Sequence, residues 1–593
     1  MKGAISTFLR FFQNILNYVR PYLTERQFLY LSCILVGISS AGAVIVLKTF
    51  AHAVFDFSSY LTSIVRLPYF KSILPIIGIL LTIYVVRRFL GGKIEKGTAQ
   101  IMIAVAKRSG IMHKKQMYAQ ILTSSLTVGM GGSAGLESPI TITGAAFGSN
   151  YAQYYKFKYK HRTLLLACGV AAGIATAFNA PIAGVLFAIE VVLADMSVTA
   201  FIPLLLSSAT GAILGKLAFN NTILLSFNKS FEFHYENTLY YVALGVVAGF
   251  VSIYYARMFR RVEHTMDASF KNVYLKGIVG ASLLAILIFI FPSLFGEGFE
   301  SIYYLTKNDA TKFLNHSVFQ LWLDEQWLIW LVIVGIMFVK AIATGLTLGS
   351  GGNGGNFAPS LFVGSYLGWT FSKFFELIGW KELPIGNFTI VGMAAVLSGL
   401  FHAPLTAIFL IAEMTGGYGL IIPLMIVTSI SFAISKYYDK HPMDLYKIAN
   451  KGIVFTSDKD RNLLDKIKIY QVMKPGVTLT YPYTHEDLRK AFEQTQTSFV
   501  TILNPQRHII GVITYEDYTQ ILTETDQHLD PDQFIRSKKA FSKKSRTRIV
   551  IRYMDQSKEE EVLLTEHNQY VGYVRKIDIL DAYRNNMREL RIE

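Results

Sequence analysis

The sequence predicts an all-α polytopic membrane domain made of two related halves with broken helices, followed by a soluble α/β domain. Three observations carry this expectation. Of 593 residues, 52% are hydrophobic and only 17% charged, where a soluble globular chain holds about 25%. The deficit is concentrated: residues 116–136, 163–189, 196–215, 277–296, 341–372, 383–412 and 414–435 contain no Asp, Glu, Lys or Arg, and a bilayer span needs about 20 mostly apolar residues. Within this apolar region, a pair of sequence blocks recurs in order, and after Lys436 the composition turns charged. A soluble enzyme, a secreted disulfide scaffold and a disordered chain are excluded.

Residues 1–26 form an amphipathic leader (Phe8, Leu9, Phe11, Phe12, Ile15, Leu16) without a cleavable signal pattern, expected as a helix on the membrane or against the protein. The membrane domain is expected over 27–450, with halves at about 27–215 and 236–436. Cys33 and Cys168 lie in apolar runs and imply no disulfide. The net charge of +16 does not point to nucleic acid: Arg87, Arg88, Lys93, Lys96, Lys107, Arg108, Lys114 and Lys115 fit a cytoplasmic loop. Residues 451–593 mix helical patterns with β-type runs such as Phe499–Leu503 and Ile509–Thr514, the pattern of a soluble α/β domain. A GxxxxGK[ST] phosphate loop does not occur, so an ATP-driven pump is not expected.

The first recurring block is GMGGSAGLESPITITGAAFG (129–148) and GSGGNGGNFAPSLFVGSYLG (349–368). At an offset of 220, Gly129, Gly131, Gly132, Gly135, Pro139, Gly144 and Gly148 fall on Gly349, Gly351, Gly352, Gly355, Pro359, Gly364 and Gly368. The second is FNAPIAGVLFAIE (178–190) and FHAPLTAIFLIAE (401–413), whose offset of 223 pairs Phe178, Pro181 and Glu190 with Phe401, Pro404 and Glu413. Repeated halves with the substrate between them are a frequent transporter design.

Each glycine-rich turn is followed by a proline and an apolar run, so helices are expected to begin inside the membrane. Converging helix N-termini, with free N–H groups and a partial positive charge, make an anion site. The alternative is that the glycines only let helices approach closely. Glu137 stands between two uncharged stretches, where a carboxylate is costly unless solvated or partnered. Its mate is Phe357, so the symmetry does not require an acid there. At a helix N-terminus the Glu137 carboxylate can occupy the anion site itself. Glu190 and Glu413, present in both halves, fit a structural role such as satisfying broken-helix amides.

On these residues the chain resembles the CLC family of chloride channels and proton-coupled chloride antiporters. GLESP (135–139) resembles the gating-glutamate motif G(K/R)EGP, with Leu136 and Ser138 as departures, and GNFAP (355–359) matches GxFxP. FNAPIAGVLFAIE and FHAPLTAIFLIAEMT resemble stretches of both family halves, and Tyr446, in PMDLY, falls where the family has its anion-coordinating tyrosine. The resemblance covers roughly residues 27–450. It implies a homodimer in the lipid bilayer with inverted-topology halves and one pathway per subunit for chloride or a similar small anion. Glu137 would be the gate, Phe357 and Tyr446 would line the path, and backbone N–H groups after Glu137 and Phe357, at Ser138 and Ala358, would coordinate the ion.

Two departures bear on selectivity and coupling. The family's GSGIP motif is replaced by EKGTA (95–99), which puts Lys96 at the serine and Gly97 on the second glycine. Lys96 either adds positive charge at the inner entrance or faces cytoplasmic water, and a gap would bring Thr98 to the site instead. Family antiporters carry a second glutamate directly after the position of Glu190; here Val191 stands there, and the proton-relay position is lost unless Asp195, Glu190 or water substitutes.

The tail resembles a pair of CBS domains, with VMKP (472–475) and GVITYED (511–517) in one copy and VGYVRKID (571–578) ending a second, degenerate one. Thr514 and Asp517 fit the [ST]xxD pattern that holds a nucleotide ribose, while Arg575 takes the hydroxyl position of the second copy. The resemblance thus implies at most one adenine nucleotide per pair; the alternative is a packing and dimerisation module without ligand. The expected function is passive, chloride-selective conduction, gated by Glu137 and not proton-coupled. A chloride/proton antiporter is the alternative. An intramembrane enzyme using Glu137 as acid or base lacks a second catalytic group or metal-ligand cluster, so neither enzyme activity, nor a metal, nor a required cofactor is expected. The family setting implies a multi-pass protein of the plasma (inner) membrane with both termini cytoplasmic.

Overall fold

The computed structural model describes residues 20–65, 70–92, 96–193, 198–219, 231–314, 319, 325–449, 464, 467–494, 498–523 and 530–592. Most of the leader, Lys93 and Asp195 lie outside the described residues. The chain divides into two compact units, Met1–Phe455 and Thr456–Glu593. Among the described residues, eight helical segments are long and apolar enough to cross a bilayer, the first Glu25–Val65 and the last Ile421–Leu445.

The two halves of the first unit assemble alike. Helices Glu25–Val65, Tyr159–Phe178 and Val198–Ala218 pack on one another, and Glu137–Tyr154 lies along Tyr159–Phe178. In the second half Thr238–Ser269, Ile385–Phe401 and Ile421–Tyr438 do the same, with Phe357–Leu377 along Ile385–Phe401. Glycine makes the last contact in each half possible. A Cβ at Gly148 would lie 2.1 Å from the Leu165 carbonyl oxygen, and one at Gly368 2.0 Å from that of Phe388. Gly131 and Gly351 serve differently: their φ values of +93 and +115 belong to a backbone that side chains with a Cβ rarely adopt. They turn the chain ahead of the Glu137 and Phe357 helices. Close approach and chain reversal thus fall to different glycines.

A second pair of breaks follows the same logic. Asn179 and His402, both at φ 54, end Tyr159–Phe178 and Ile385–Phe401 in the left-handed conformation. Pro181 and Pro404 then open the next helices, where a missing N–H costs nothing.

Reciprocal hydrogen bonds join the halves, as a twofold relation requires. Gly135 N donates to Gly355 O at 2.9 Å, and Gly355 N to Gly135 O at 2.8 Å. Thr127 Oγ1 accepts from Asn353 N at 3.0 Å, and its mate Thr347 Oγ1 from Ser133 N at 3.1 Å. The Glu190 carboxylate accepts from Leu405 N (3.1 Å) and Thr406 N (2.8 Å), and that of Glu413 from Ile182 N (3.0 Å) and Ala183 N (2.9 Å). Each glutamate thus satisfies the first-turn donors of the broken helix in the other half, where negative charge is favoured. This is the structural role expected of them.

The second unit contains the same motif twice. Strands β1 (Thr478–Thr480), β2 (Phe499–Leu503) and β3 (Ile509–Thr514) form one sheet, and β4 (Ala540–Ser542), β5 (Glu561–Glu566) and β6 (Gln569–Arg575) another. In both, the first pair is parallel and the second antiparallel, with a register break at Ile502/Leu503 and at Leu564/Thr565. Helices His485–Gln494 and Tyr515–Thr523 accompany the first sheet, Thr547–Ser557 and Lys576–Ile592 the second. The lead-in segments are exchanged: Lys474 bridges to Tyr573 of the second sheet, and Arg536 to Val512 of the first.

Candidate anion site

The Glu137–Tyr154 and Phe357–Leu377 helices start beside the paired glycine turns. Pro139 and Pro359 have no N–H, so each first turn offers backbone donors only at its first two residues, 137–138 and 357–358. Glu137 is buried, and its Oε2 accepts the Ala358 N–H at 3.3 Å. A carboxylate of the first half therefore sits on a helix N-terminus of the second. Its mate Phe357 packs among Phe178, Phe187 and Phe401, with ring centroids at 5.9, 6.1 and 5.6 Å.

A cavity of about 10 Å³, room for one water-sized particle, is lined by Thr98, Glu137, Ser138, Thr141, Phe187, Asn356, Phe357, Phe401 and Asp444. The Ser138 hydroxyl is buried without a hydrogen-bond partner. Thr98 Oγ1 donates to Asp444 Oδ2, and Asn356 Oδ1 accepts from the Tyr255 hydroxyl at 3.2 Å. A wider cavity of about 740 Å³ is lined by Leu136, Glu297, His52, Lys71, Glu300 and Lys312, among others. There Glu297 accepts the Leu136 N–H at 3.0 Å. Consecutive residues thus line one cavity each, Leu136 the wider and Glu137 the small one.

Two lysines, Lys340 buried and Lys48 half-buried, lie within the electrostatic reach of Glu297. Lys340 donates to Ser133 Oγ at 2.9 Å and Gly296 O at 3.4 Å, and lies 4.5 Å above the Phe362 ring. Lys48 donates to Ala177 O at 2.5 Å and lies within the electrostatic reach of Glu137 and Glu297. At the offset of 220, Lys340 corresponds to Gln120 and Ser133 to Asn353. Gln120 Oε1 accepts from Asn353 Nδ2 at 2.8 Å. The same crossed contact is cationic once and neutral once.

Of the residues singled out in the sequence, Glu137, Ser138 and Phe357 line the small cavity, and Ala358 gives its N–H to Glu137. Lys96 is engaged elsewhere: Nζ donates to Gly352 O at 2.6 Å and Leu348 O at 3.4 Å, at the C-terminal end of Gln326–Gly349, where a cation is favoured. Gly97, at φ +77, turns the chain so that Thr98 lines the cavity. The Tyr446 ring carries the Arg260 guanidinium at 4.0 Å and does not line the cavity; Asp444, two residues earlier, does. Val191 follows Glu190 in the π-helical segment Ala188–Leu193. In the second unit Asp517 is buried and accepts from Thr514 Oγ1 at 2.5 Å, Thr514 N at 3.2 Å and the Arg536 guanidinium. Its counterpart Asp578 is held by Arg575 at 2.8 and 2.9 Å and by Lys474 at 2.9 Å.

Sequence reasoning missed Lys48, Lys340, Glu297 and Asp444. For the lysines a signal existed, because both are lone cations in apolar runs, the argument applied to Glu137. For Asp444 it was only an acid next to the expected tyrosine.

A model of the voltage gated chloride channel family matches residues 77–436. A ClcB-like chloride channel protein of Ralstonia nicotianae is 30% identical over 339 residues, 56% of this chain and 74% of its own. A slow cyanobacterial Cl−/H+ antiporter has a similar structure, with TM-score 0.62 and 22% identity over 72% of this chain and 98% of that one. A eukaryotic CLC transporter matches with TM-score 0.61 and 18% identity over 93% of this chain and 97% of that one, a span longer than the first unit. At such identities the structural likeness shows the fold alone.

Proposed function

The chain belongs to the voltage gated chloride channel (CLC) family, and we propose that it is a passive, chloride-selective anion channel gated by Glu137 and not coupled to protons. The observation that carries this reading is the Glu137 carboxylate on the Ala358 N–H. An acid held by the donors of an opposing helix N-terminus mimics the anion that would replace it. Protonation or an incoming anion weakens that hold. The anion would then meet the unpartnered Ser138 hydroxyl and the backbone N–H groups of Ser138 and Ala358. The absence of a titratable side chain at Val191 supports the lack of coupling.

The same reading takes the protein as a homodimer of the plasma (inner) membrane with both termini cytoplasmic. The second unit is a CBS pair that can hold one adenine nucleotide at Thr514 and Asp517. The repeated three-stranded motif supports the pair, and the Thr514–Asp517 hydrogen bonds are compatible with a ribose site once Arg536 is displaced.

Chloride/proton antiport is the second reading, favoured by one observation: the titratable Asp444 lies in the same cavity as Glu137. Chloride efflux from liposomes under valinomycin, with proton movement recorded alongside, tests both. Absence of chloride efflux overturns anion conduction, and uphill proton movement driven by a chloride gradient replaces the channel by the antiporter.

A further inference from the structure

Asp444 lies in the turn Met443–Leu445, just after Ile421–Tyr438, and Thr98 immediately precedes Ala99–Lys107. The two meet inside the small cavity that also exposes Glu137, Ser138 and Phe357. Asp444 therefore lines the cavity from the turn that follows the last long apolar helix.

A hydroxyl carries a single proton. With that proton given to Asp444, Thr98 turns only lone pairs toward the cavity, and Asp444 adds a carboxylate. Neither welcomes an anion. Among the described residues, the groups around Asp444 do not compensate. Glu137 faces it across the cavity, and Glu263 and Tyr255 interact with it from Thr238–Ser269. Arg260, on the same helix, is engaged with Asp439 at 2.8 Å and with the Tyr446 ring. Lys96 is held by the Gly352 and Leu348 carbonyls.

We propose that Asp444, acting with Thr98, is a second carboxylate gate of the anion cavity, which it shares with Glu137. Ionised, it ties up the Thr98 donor and places negative charge in a space for one particle, where charges interact strongly. A proton taken from water neutralises it. The Thr98 O–H is then free to turn to the anion beside the unpartnered Ser138 hydroxyl. The proposal rests on reading the cavity as an anion path, and gives that path a second acid-operated element.

The test removes the first gate so that the second is read alone. Glu137→Gln, full length and in liposomes, should still conduct more chloride as both sides are acidified, by up to about tenfold per pH unit, the limit for one titrating group. Adding Asp444→Asn, or Asp444→Ala if the first does not assemble, should flatten the profile. A Glu137→Gln protein whose flux is already independent of pH overturns the proposal, as does a double variant that keeps the dependence. If the wild type and Glu137→Gln carry no anion at any pH, the assigned function falls instead. Proton uptake on chloride binding to detergent-solubilised Glu137→Gln, read by calorimetry in buffers of different ionisation heat, then decides the gate: uptake supports it, and none overturns it.

Discussion

In the first half of the membrane unit the helix after the glycine turn opens with Glu137; in the second half the same position is Phe357. A few residues away the halves are chemically alike. Thr127 and Thr347 cap each other's turns, Gly135 and Gly355 exchange hydrogen bonds, and Glu190 and Glu413 cap each other's broken helices. Elsewhere the halves differ: acid against ring at 137 and 357, lysine against amide at 340 and 120. Matched positions build the scaffold, and mismatched ones set the two halves apart chemically.

The largest expected effect tests the scaffold. Gly148→Ala and Gly368→Ala each place a methyl about 2 Å from a backbone carbonyl oxygen, overpacking that costs about 1–3 kcal/mol or more. Both should lose folded protein on size exclusion in detergent, to the same degree. Tolerance of one but not the other would break the equivalence of the halves.

The gate should show the opposite, an effect in one half only. Glu137→Gln is expected to raise chloride flux at neutral pH by about tenfold or more, the change in closing free energy being at least about 1.4 kcal/mol, and to weaken its pH dependence. Phe357→Ala should leave the pH dependence in place. Equal profiles for wild type and Glu137→Gln would remove Glu137 from gating.

Next come the capping acids. Glu190→Gln and Glu413→Gln should each lose about 1.5–3 kcal/mol, the worth of hydrogen bonds to a charged group, with similar drops in melting temperature. If Glu190→Gln also abolished a proton current, Glu190 would have replaced the relay lost at Val191.

The smallest effects lie in the second unit, whose two copies offer the same kind of comparison. Asp517 is held by Thr514 and Arg536, Asp578 by Arg575 and Lys474. Displacing Arg536 by Arg536→Ala should strengthen the thermal shift caused by an adenine nucleotide, which reaches about 2.7 kcal/mol at a hundredfold excess over Kd. No shift in either protein would leave only a packing role. The Arg575 guanidinium, and after it the Lys474 ammonium, hold the Asp578 carboxyl below the usual carboxylate range. Its stabilisation is therefore present above the unfolded value of about 3.9 and lost as the pH falls through the lower folded value. Asp578→Asn should cost about 1 kcal/mol or less near neutral pH, as for exposed ion pairs, and nothing in strong acid.

Much of this arrangement was legible in the chain itself. The glycines, prolines and repeat offsets mark where helices break, because those residues act through their own backbone. A lone acid in an apolar run marks a candidate site, because burying charge is costly wherever the run goes. The role of Glu190 and Glu413 followed from their recurrence in both halves. What a side chain meets far along the chain is a different kind of fact. Lys96 turns to Gly352, 256 residues away, and Thr98 to Asp444, 346 residues away. Those partners are set by how segments distant in the chain converge in the fold. The chain determined by itself that it crosses a membrane in two broken halves with one acid between them. Only the tertiary structure decided that Asp444 faces that acid, since hydrogen bonds of this reach depend on packing, which no local pattern encodes.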